Sequence, residues 1–172
     1  NPFELNKEES ELIEKIQQSV INSEKLHQHV RFLFNKGSMY KVYNDNLLLH
    51  GCVPLNDDGS FRTIKISGVE YGGKALLDKL EEIARSGFYA KCGTPERIKG
   101  QDYMWYLWCG EKSPLYGKDK MTTFEHYFIA EKNTHKEVMN PYYQLSVKEE
   151  HCDRILEEFG LPTRNSHIIN GH

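Results

Sequence analysis

Two histidines follow short apolar runs, at places where an imidazole could bind a metal ion. His50 comes after three consecutive leucines and is followed by a glycine. His172 comes after the apolar run 167–169 and an Asn-Gly pair. Ligands collect beyond the carboxyl ends of strands in open α/β sheets, so two such histidines can converge at one sheet edge. We interpret His50 and His172 as metal ligands; the alternative is that each is a hydrogen-bonded structural histidine.

The elements that must position these histidines can be predicted from the surrounding pattern. Residues 39–50 alternate around an Asn-Asp pair, which predicts a β-hairpin that ends at His50. Residues 148–159 have an apolar helical face and are stopped by a glycine ahead of the final strand. A helix followed by a strand is half of an α/β crossover. If the final strand runs parallel to the strand that ends at His50, His172 lies at the same sheet edge as His50.

Further helices are predicted from glycines and capping residues. Asn6 can cap a helix that restarts near residue 22 and ends at Gly37, a position that favours the left-handed conformation. A second amphipathic helix is expected to end at Gly87, and Thr94 with its following proline starts another. We therefore expect one α/β or α+β unit over residues 1–172, with helices packed on a small mixed sheet.

The most aromatic stretch, residues 102–109, is followed by a loop with three lysines. We interpret the aromatic stretch as a helix or strand packed in the core; the alternative is that one of its tryptophans stacks on a sugar. In the loop, Lys118 and Lys120 could contact a phosphate group of a substrate. Solvated surface lysines are the alternative there.

Composition narrows the range of partners. The 172 residues carry a formal net charge of −3 and no basic tract, so the electrostatic signature of a nucleic-acid-binding protein is missing. The apolar runs are too short to cross a bilayer, and the acidic start is not a signal peptide. We expect a cytoplasmic protein that binds a small molecule or another protein. Whether the chain forms a homo-oligomer is left open by the sequence.

The four cysteines form no Cys-x-x-Cys pair and lie in or beside apolar segments. Without a secretion signal, this placement predicts reduced core thiols rather than disulfides or zinc ligands. Cys52 lies two residues past His50, so a bound metal could lower its pKa and make it a nucleophile. A buried structural thiol is the interpretation we favour.

Several segments resemble one family. The His-Gly-x-x-Pro block at residues 50–54 is similar to that of the calcineurin-like metallophosphoesterases, and the Gly-His block at 171–172 is similar to their late Gly-His block. Over longer stretches, residues 32–58, 104–128 and 157–172 resemble the class III fructose-1,6-bisphosphatases of Firmicutes and related bacteria. The resemblance covers nearly the whole chain in order and spacing.

This resemblance implies an enzyme that hydrolyses the 1-phosphate of fructose 1,6-bisphosphate in gluconeogenesis. It implies two divalent ions, manganese in this family, with His50 and His172 as neutral ligands. The family's early Asp-x-His, Gly-Asp-x-x-Asp and Gly-Asn-His-Asp blocks do not occur here. The chain therefore resembles the later part of a metallophosphoesterase catalytic domain, a partial α/β sandwich with an incomplete metal site, and we expect it to be inactive alone.

Two other functions stay open. The His-Gly-x-x-Pro block alone allows a different metallophosphoesterase, which would act on phosphoproteins or nucleotides. An isolated segment of this kind is also a candidate for a non-catalytic binding or assembly module.

Overall fold

The computed structural model describes residues 4–171, and the chain divides after Ser38 into two units. The first unit contains α1 (Lys7–Ile21) and α2 (Glu24–Lys36). The second unit, from Met39 onward, contains β1 (Tyr40–Tyr43), β2 (Asn46–Leu49), β3 (Ile64–Ile66), β4 (Val69–Tyr71), α3 (Gly73–Tyr89), α4 (Pro95–Cys109), α5 (Thr123–Phe128), a 3₁₀ helix (Lys132–His135), α6 (Tyr142–Leu145), α7 (Glu149–Glu158) and β5 (Ile168–Asn170). The expected assignment of residues 1–172 to one domain stays a prediction.

Helix α1 begins at the predicted cap. The Asn6 side chain accepts a hydrogen bond from the backbone N–H of Glu9 at 2.9 Å, and the Glu9 carboxylate accepts one from the backbone N–H of Asn6 at 2.8 Å. This reciprocal pair satisfies two of the N–H groups that lack a partner within the helix. The predicted restart near residue 22 is also confirmed, because the Ser23 hydroxyl accepts from the Leu26 N–H and caps α2.

Gly37 ends α2, but not in the predicted conformation. Its φ of −83° and ψ of 167° are extended rather than left-handed, so the prediction of a left-handed cap is wrong. A Cβ at this position would lie 2.6 Å from the carbonyl oxygen of Leu33. Close approach to the last helical turn, not a positive φ, therefore explains the glycine.

The candidate site is positioned by a three-stranded mixed sheet with the order β1-β2-β5. β1 and β2 form the predicted antiparallel hairpin, and both turn residues, Asn44 and Asp45, have positive φ, as a tight type I′ turn requires. β2 and β5 are parallel, with Leu47 opposite Ile168 and Leu49 opposite Asn170. The prediction that His50 and His172 converge at one sheet edge required these two strands to be parallel, and they are.

A separate two-stranded hairpin, β3-β4, turns at Ser67 and Gly68, which both have positive φ. Helix α3 follows directly and packs against α4, α7 and β4. The prediction that Gly87 ends α3 is wrong, because the helix continues to Tyr89. Gly87 lies instead at the point where α3 meets Gly100 of α4.

The core of the second unit lies between the mixed sheet and helices α3 and α7. Its most buried side chains include Leu47 of β2, Leu76 and Leu80 of α3, and Ile155 of α7. The ring of Tyr40 in β1 packs edge-on against Phe159 at the end of α7, with centroids 4.8 Å apart. Helices on a small mixed sheet confirm the predicted mixed α/β class. None of the helices described here is long and apolar enough to cross a membrane.

Candidate functional site

His50 lies directly past the carboxyl end of β2, at the edge expected for a ligand site. Its backbone forms a bend and its side chain is exposed. Because Leu49 pairs with Asn170 in the parallel ladder, His50 and Gly171 leave the sheet at the same end. The Asn170 amide donates to the carbonyl oxygen of Gly51 at 3.2 Å and ties the two strand ends together.

His172, the second predicted ligand, lies outside the described residues. The convergence of its imidazole with that of His50 therefore stays a prediction. Within residues 4–171, no group of three or more His, Cys, Asp or Glu side chains is arranged to hold a metal ion. The described part of the chain thus offers one exposed imidazole at the sheet edge and not a complete metal centre.

The turn after His50 is packed against the loop that carries the predicted phosphate-binding lysines. The backbone N–H of Cys52 donates to the carbonyl oxygen of Pro114 at 2.8 Å. A Cβ on Gly51 would overlap the same oxygen and would lie 2.8 Å from the carbonyl oxygen of Leu115. Only a glycine lets the two backbones approach this closely. The sheet edge and the loop are thereby held together.

Lys118 in that loop already has a partner. Its ammonium donates to a carboxylate oxygen of Glu137 at 2.5 Å, and the other oxygen of Glu137 accepts from the backbone N–H and hydroxyl of Thr122, both at 3.0 Å. The hydrogen bond from Lys118, aided by those from Thr122, lowers the pKa of Glu137 to about 2. The same pair raises the pKa of Lys118. The lysine is therefore held in one place, and its charge is balanced locally.

The second predicted lysine makes a weaker contact. The ammonium of Lys120 donates to the backbone oxygen of Thr134 in the 3₁₀ helix at 3.2 Å, and the Lys120 carbonyl accepts from the Tyr116 hydroxyl at 2.9 Å. Neither contact neutralises the charge of Lys120. No carboxylate within residues 4–171 forms an ion pair with Lys120, so an anion could reach this ammonium without displacing one of them.

A pocket of about 270 Å³, lined mainly by charged and polar residues, lies beside this loop. Lys118 lines it together with Arg62 and Lys112, and three carboxylates balance these three cations: Asp57, Glu111 and Asp119. Arg62 and Glu111 both line the pocket and form an ion pair at 3.4 Å. Sequence reasoning missed Arg62, because no local spacing connects residue 62 with residues 111–119. Only the tertiary fold brings them to one pocket.

Cys52 is a buried thiol, as the sequence interpretation favoured. Burial raises its pKa to about 12, which the contact with Tyr143 offsets only in part. At neutral pH such a thiol stays protonated, and the thiol form is a poor nucleophile. Without a bound metal ion, Cys52 is therefore a poor nucleophile. The alternative that a metal lowers its pKa stays a prediction.

The aromatic stretch departs from the sequence expectation. Residues 102–109 lie in α4, and Leu107 is buried, but Trp105 and Trp108 are exposed. Their rings contact each other edge to face, with centroids 5.2 Å apart. The expectation that the whole stretch packs in the core is wrong, because one side of α4 packs against α3 and the tryptophans lie on another.

Comparison with known families identifies the chain. Residues 1–172 match the family described as Firmicute fructose-1,6-bisphosphatase. The chain belongs to this fructose-1,6-bisphosphatase family. The resemblance of residues 32–58, 104–128 and 157–172 to the class III fructose-1,6-bisphosphatases is therefore confirmed. The resemblance of residues 50–54 to the metallophosphoesterases stays a prediction.

Curated fructose-1,6-bisphosphatases agree with this assignment. The chain is 58% identical over 172 residues to the class 3 fructose-1,6-bisphosphatase of Clostridium tetani (strain Massachusetts / E88). It is 56% identical to one from Clostridium beijerinckii and 55% identical to that of Clostridium botulinum (strain 657 / Type Ba4). Each match covers 100% of this chain and 26% of the relative, so the chain spans about a quarter of the length of these fructose-1,6-bisphosphatases. No solved structure gives a significant match to the chain.

Proposed function

We propose that this chain is part of a class 3 fructose-1,6-bisphosphatase that converts fructose 1,6-bisphosphate and water to fructose 6-phosphate and phosphate. The match of all 172 residues to the family supports the activity. The structural observation that supports it is the packing of the loop at Pro114 against the turn after His50. This packing joins a candidate metal ligand to a loop that carries cations for a phosphorylated sugar.

In this proposal the enzyme is cytoplasmic, acts in gluconeogenesis and uses two manganese ions, as the resemblance to the class III family implies. When bound, such ions would hold the phosphate oxygens and lower the pKa of an attacking water. Imidazole is an acceptable manganese ligand, and the exposed side chain of His50 suits that role. The described residues alone do not fit a two-metal centre. The other ligands would be His172 and residues of the longer polypeptide.

Within this chain, we assign two tasks to the residues at the site. His50 offers an exposed imidazole, and the β2-β5 ladder and the glycine turn fix its backbone. Lys120, and Lys118 from within its ion pair, would orient a phosphate of the sugar bisphosphate. Arg62 and Lys112 are further candidates, because they line the same pocket as Lys118.

The first experiment compares phosphate release from fructose 1,6-bisphosphate, with manganese, by a full-length class 3 protein containing this chain and by the 172-residue chain itself. We expect release by the longer protein only. A phosphoprotein and a nucleotide, tested in parallel, distinguish the other metallophosphoesterase activities. If neither protein releases phosphate from the sugar bisphosphate while both are folded, the proposed activity is wrong.

The role of His50 is tested in the longer protein by His50→Ala, with His27→Ala on the exposed surface of α2 as the matched control. We expect His50→Ala to abolish phosphate release and weaken manganese binding without lowering the melting temperature. His27→Ala should behave like the unmodified enzyme. Normal turnover by His50→Ala would remove this residue from the site.

The role of Lys120 in phosphate binding is tested by measuring the Michaelis constant for fructose 1,6-bisphosphate. We expect Lys120→Ala to raise KM for fructose 1,6-bisphosphate more than kcat falls, if the phosphate that Lys120 binds is the one that does not react. Lys65→Ala, on the exposed face of β3, is the control. An unchanged KM in Lys120→Ala would show that Lys120 is a solvated surface residue.

A further inference from the structure

Helix α4 has two apolar sides, and only one of them is covered by the described residues. Its inner side, with Gly100 and Leu107 buried, packs closely against α3. Its other side carries Ile98, Trp105 and Trp108, which are 52%, 66% and 59% exposed. We name these three residues the outer stripe.

The outer stripe follows helical geometry. Trp105 and Trp108 are seven and ten positions beyond Ile98, so all three lie along one side of a helix with 3.6 residues per turn. The two indoles contact each other edge to face. Tryptophan pairs contribute large apolar areas to interfaces, and a helix that is apolar on opposite sides is typical of one buried between two layers. The composition of the outer stripe is therefore that of a surface buried in an interface.

We propose that the remaining polypeptide of the class 3 enzyme covers the outer stripe, so that α4 lies between the part described here and the rest of the protein. The observation that identifies the occupant is length, because this chain is 26% of its curated relatives and about three quarters of such a protein lies outside it. The inference rests on the proposed function only in placing the chain within a longer class 3 protein.

A covalently linked segment also has an advantage over a second copy of the chain. Its effective concentration near α4 is on the order of millimolar for a short flexible connection, whereas a second copy must be recruited from solution. A linked segment whose connection can span the distance therefore competes favourably with a second copy for this apolar surface.

Hydroxyl-radical footprinting of the full-length enzyme tests the proposal directly. Oxidation of Trp105 and Trp108 is followed by mass spectrometry of their peptide, in the folded protein and in denaturant, at protein concentrations that differ 100-fold. We expect oxidation of both tryptophans to be slowed at least tenfold by folding, to the same extent at every concentration. Oxidation at the rate of the denatured protein would overturn the proposal. Protection that appears only at high concentration would also overturn it, in favour of a second copy.

A pair of variants gives an independent readout. Trp105→Asp in the full-length enzyme is expected to lower the melting temperature by several degrees, because it places a charge in a covered interface. Val69→Asp, at a residue 54% exposed in the β3-β4 hairpin, is the matched control. An unchanged melting temperature in Trp105→Asp would contradict the proposal. Footprinting and melting do not depend on phosphate release, so the proposed activity can fail while this interface is confirmed.

Discussion

Gly87 of α3 and Gly100 of α4 face each other at a distance that leaves no room for a side chain. A Cβ built on either residue would overlap the Cα of the other and would lie 3.1 Å from its backbone nitrogen. The two helices therefore cross backbone to backbone, and neither neighbour is a flexible side chain that could move aside. This contact fixes α4, and with it the exposed tryptophans, relative to the core.

Gly87→Ala should therefore destabilise the protein. The helix gains about 1 kcal/mol in propensity when glycine becomes alanine, but overpacking costs about 1–3 kcal/mol or more when backbone must move. We expect a net loss of about 1–2 kcal/mol in the free energy of unfolding, measured by urea denaturation. Ser86→Ala, at the exposed neighbour in α3, is the control and should change stability by less than about 0.5 kcal/mol. A stabilised Gly87→Ala protein would contradict the close crossing.

Gly51→Ala should disturb the contact between the sheet edge and the loop at Pro114. The new methyl group would overlap a carbonyl oxygen, so either the turn after His50 or the loop has to move. We expect a loss of about 1–3 kcal/mol in the free energy of unfolding, measured by thermal or urea denaturation. Gly171→Ala, at the end of the neighbouring strand, has nothing within 4 Å of the added Cβ and is the control. Equal stability of the two variants would show that the loop yields freely.

The ion pair of Lys118 and Glu137 should make stability depend on pH. The pKa of Glu137 is lowered to about 2 in the folded protein, so its contribution is present above the ordinary value near 4.5 and is lost as the pH falls towards 2. A double-mutant cycle with Lys118→Met and Glu137→Gln measures the coupling free energy. We expect about 1 kcal/mol at pH 7, because both side chains are partly exposed, and a steady decrease below pH 4.5. A coupling free energy that is constant from pH 7 to pH 2 would contradict this assignment.

The four cysteines should react with iodoacetamide in the order of their exposure. The expectation that the cysteines are core thiols is wrong for Cys92, which is exposed. Cys52 is buried, and its pKa is raised to about 12. In the folded protein at pH 8, we expect Cys92 to be alkylated first and Cys52 only after unfolding. Peptide mass spectrometry at successive times checks the order. Fast alkylation of Cys52 would mean that the turn after His50 opens readily.

Local patterns predicted most of the elements correctly. The Asn6 capping box, the hairpin turn at Asn44-Asp45 and the glycine stop after α7 depend on contacts between residues a few positions apart. Such contacts are set by side-chain chemistry and backbone sterics that the sequence states directly. The position of His50 after a buried strand was predictable for the same reason.

The local pattern mispredicted the role of two glycines. Gly37 and Gly87 were both expected to end helices through backbone freedom, yet Gly37 is extended and Gly87 lies inside α3. A glycine that permits close approach looks the same in sequence as one that permits a positive φ. The partner that comes close, Gly100 for Gly87, is known only from the fold.

The sequence by itself carried the resemblance to the family through the order of its motifs. Its apolar periodicity predicted the mixed α/β class and placed His50, a candidate ligand, after a strand, because periodicity is a local property of the chain. Tertiary structure decided that β2 and β5 run parallel, that the loop at Pro114 packs on the turn after His50, and that Lys118 pairs with Glu137. It also decided that Trp105 and Trp108 face outward. These relations join residues far apart in sequence, and their energies depend on which surfaces meet, a property that no local pattern encodes.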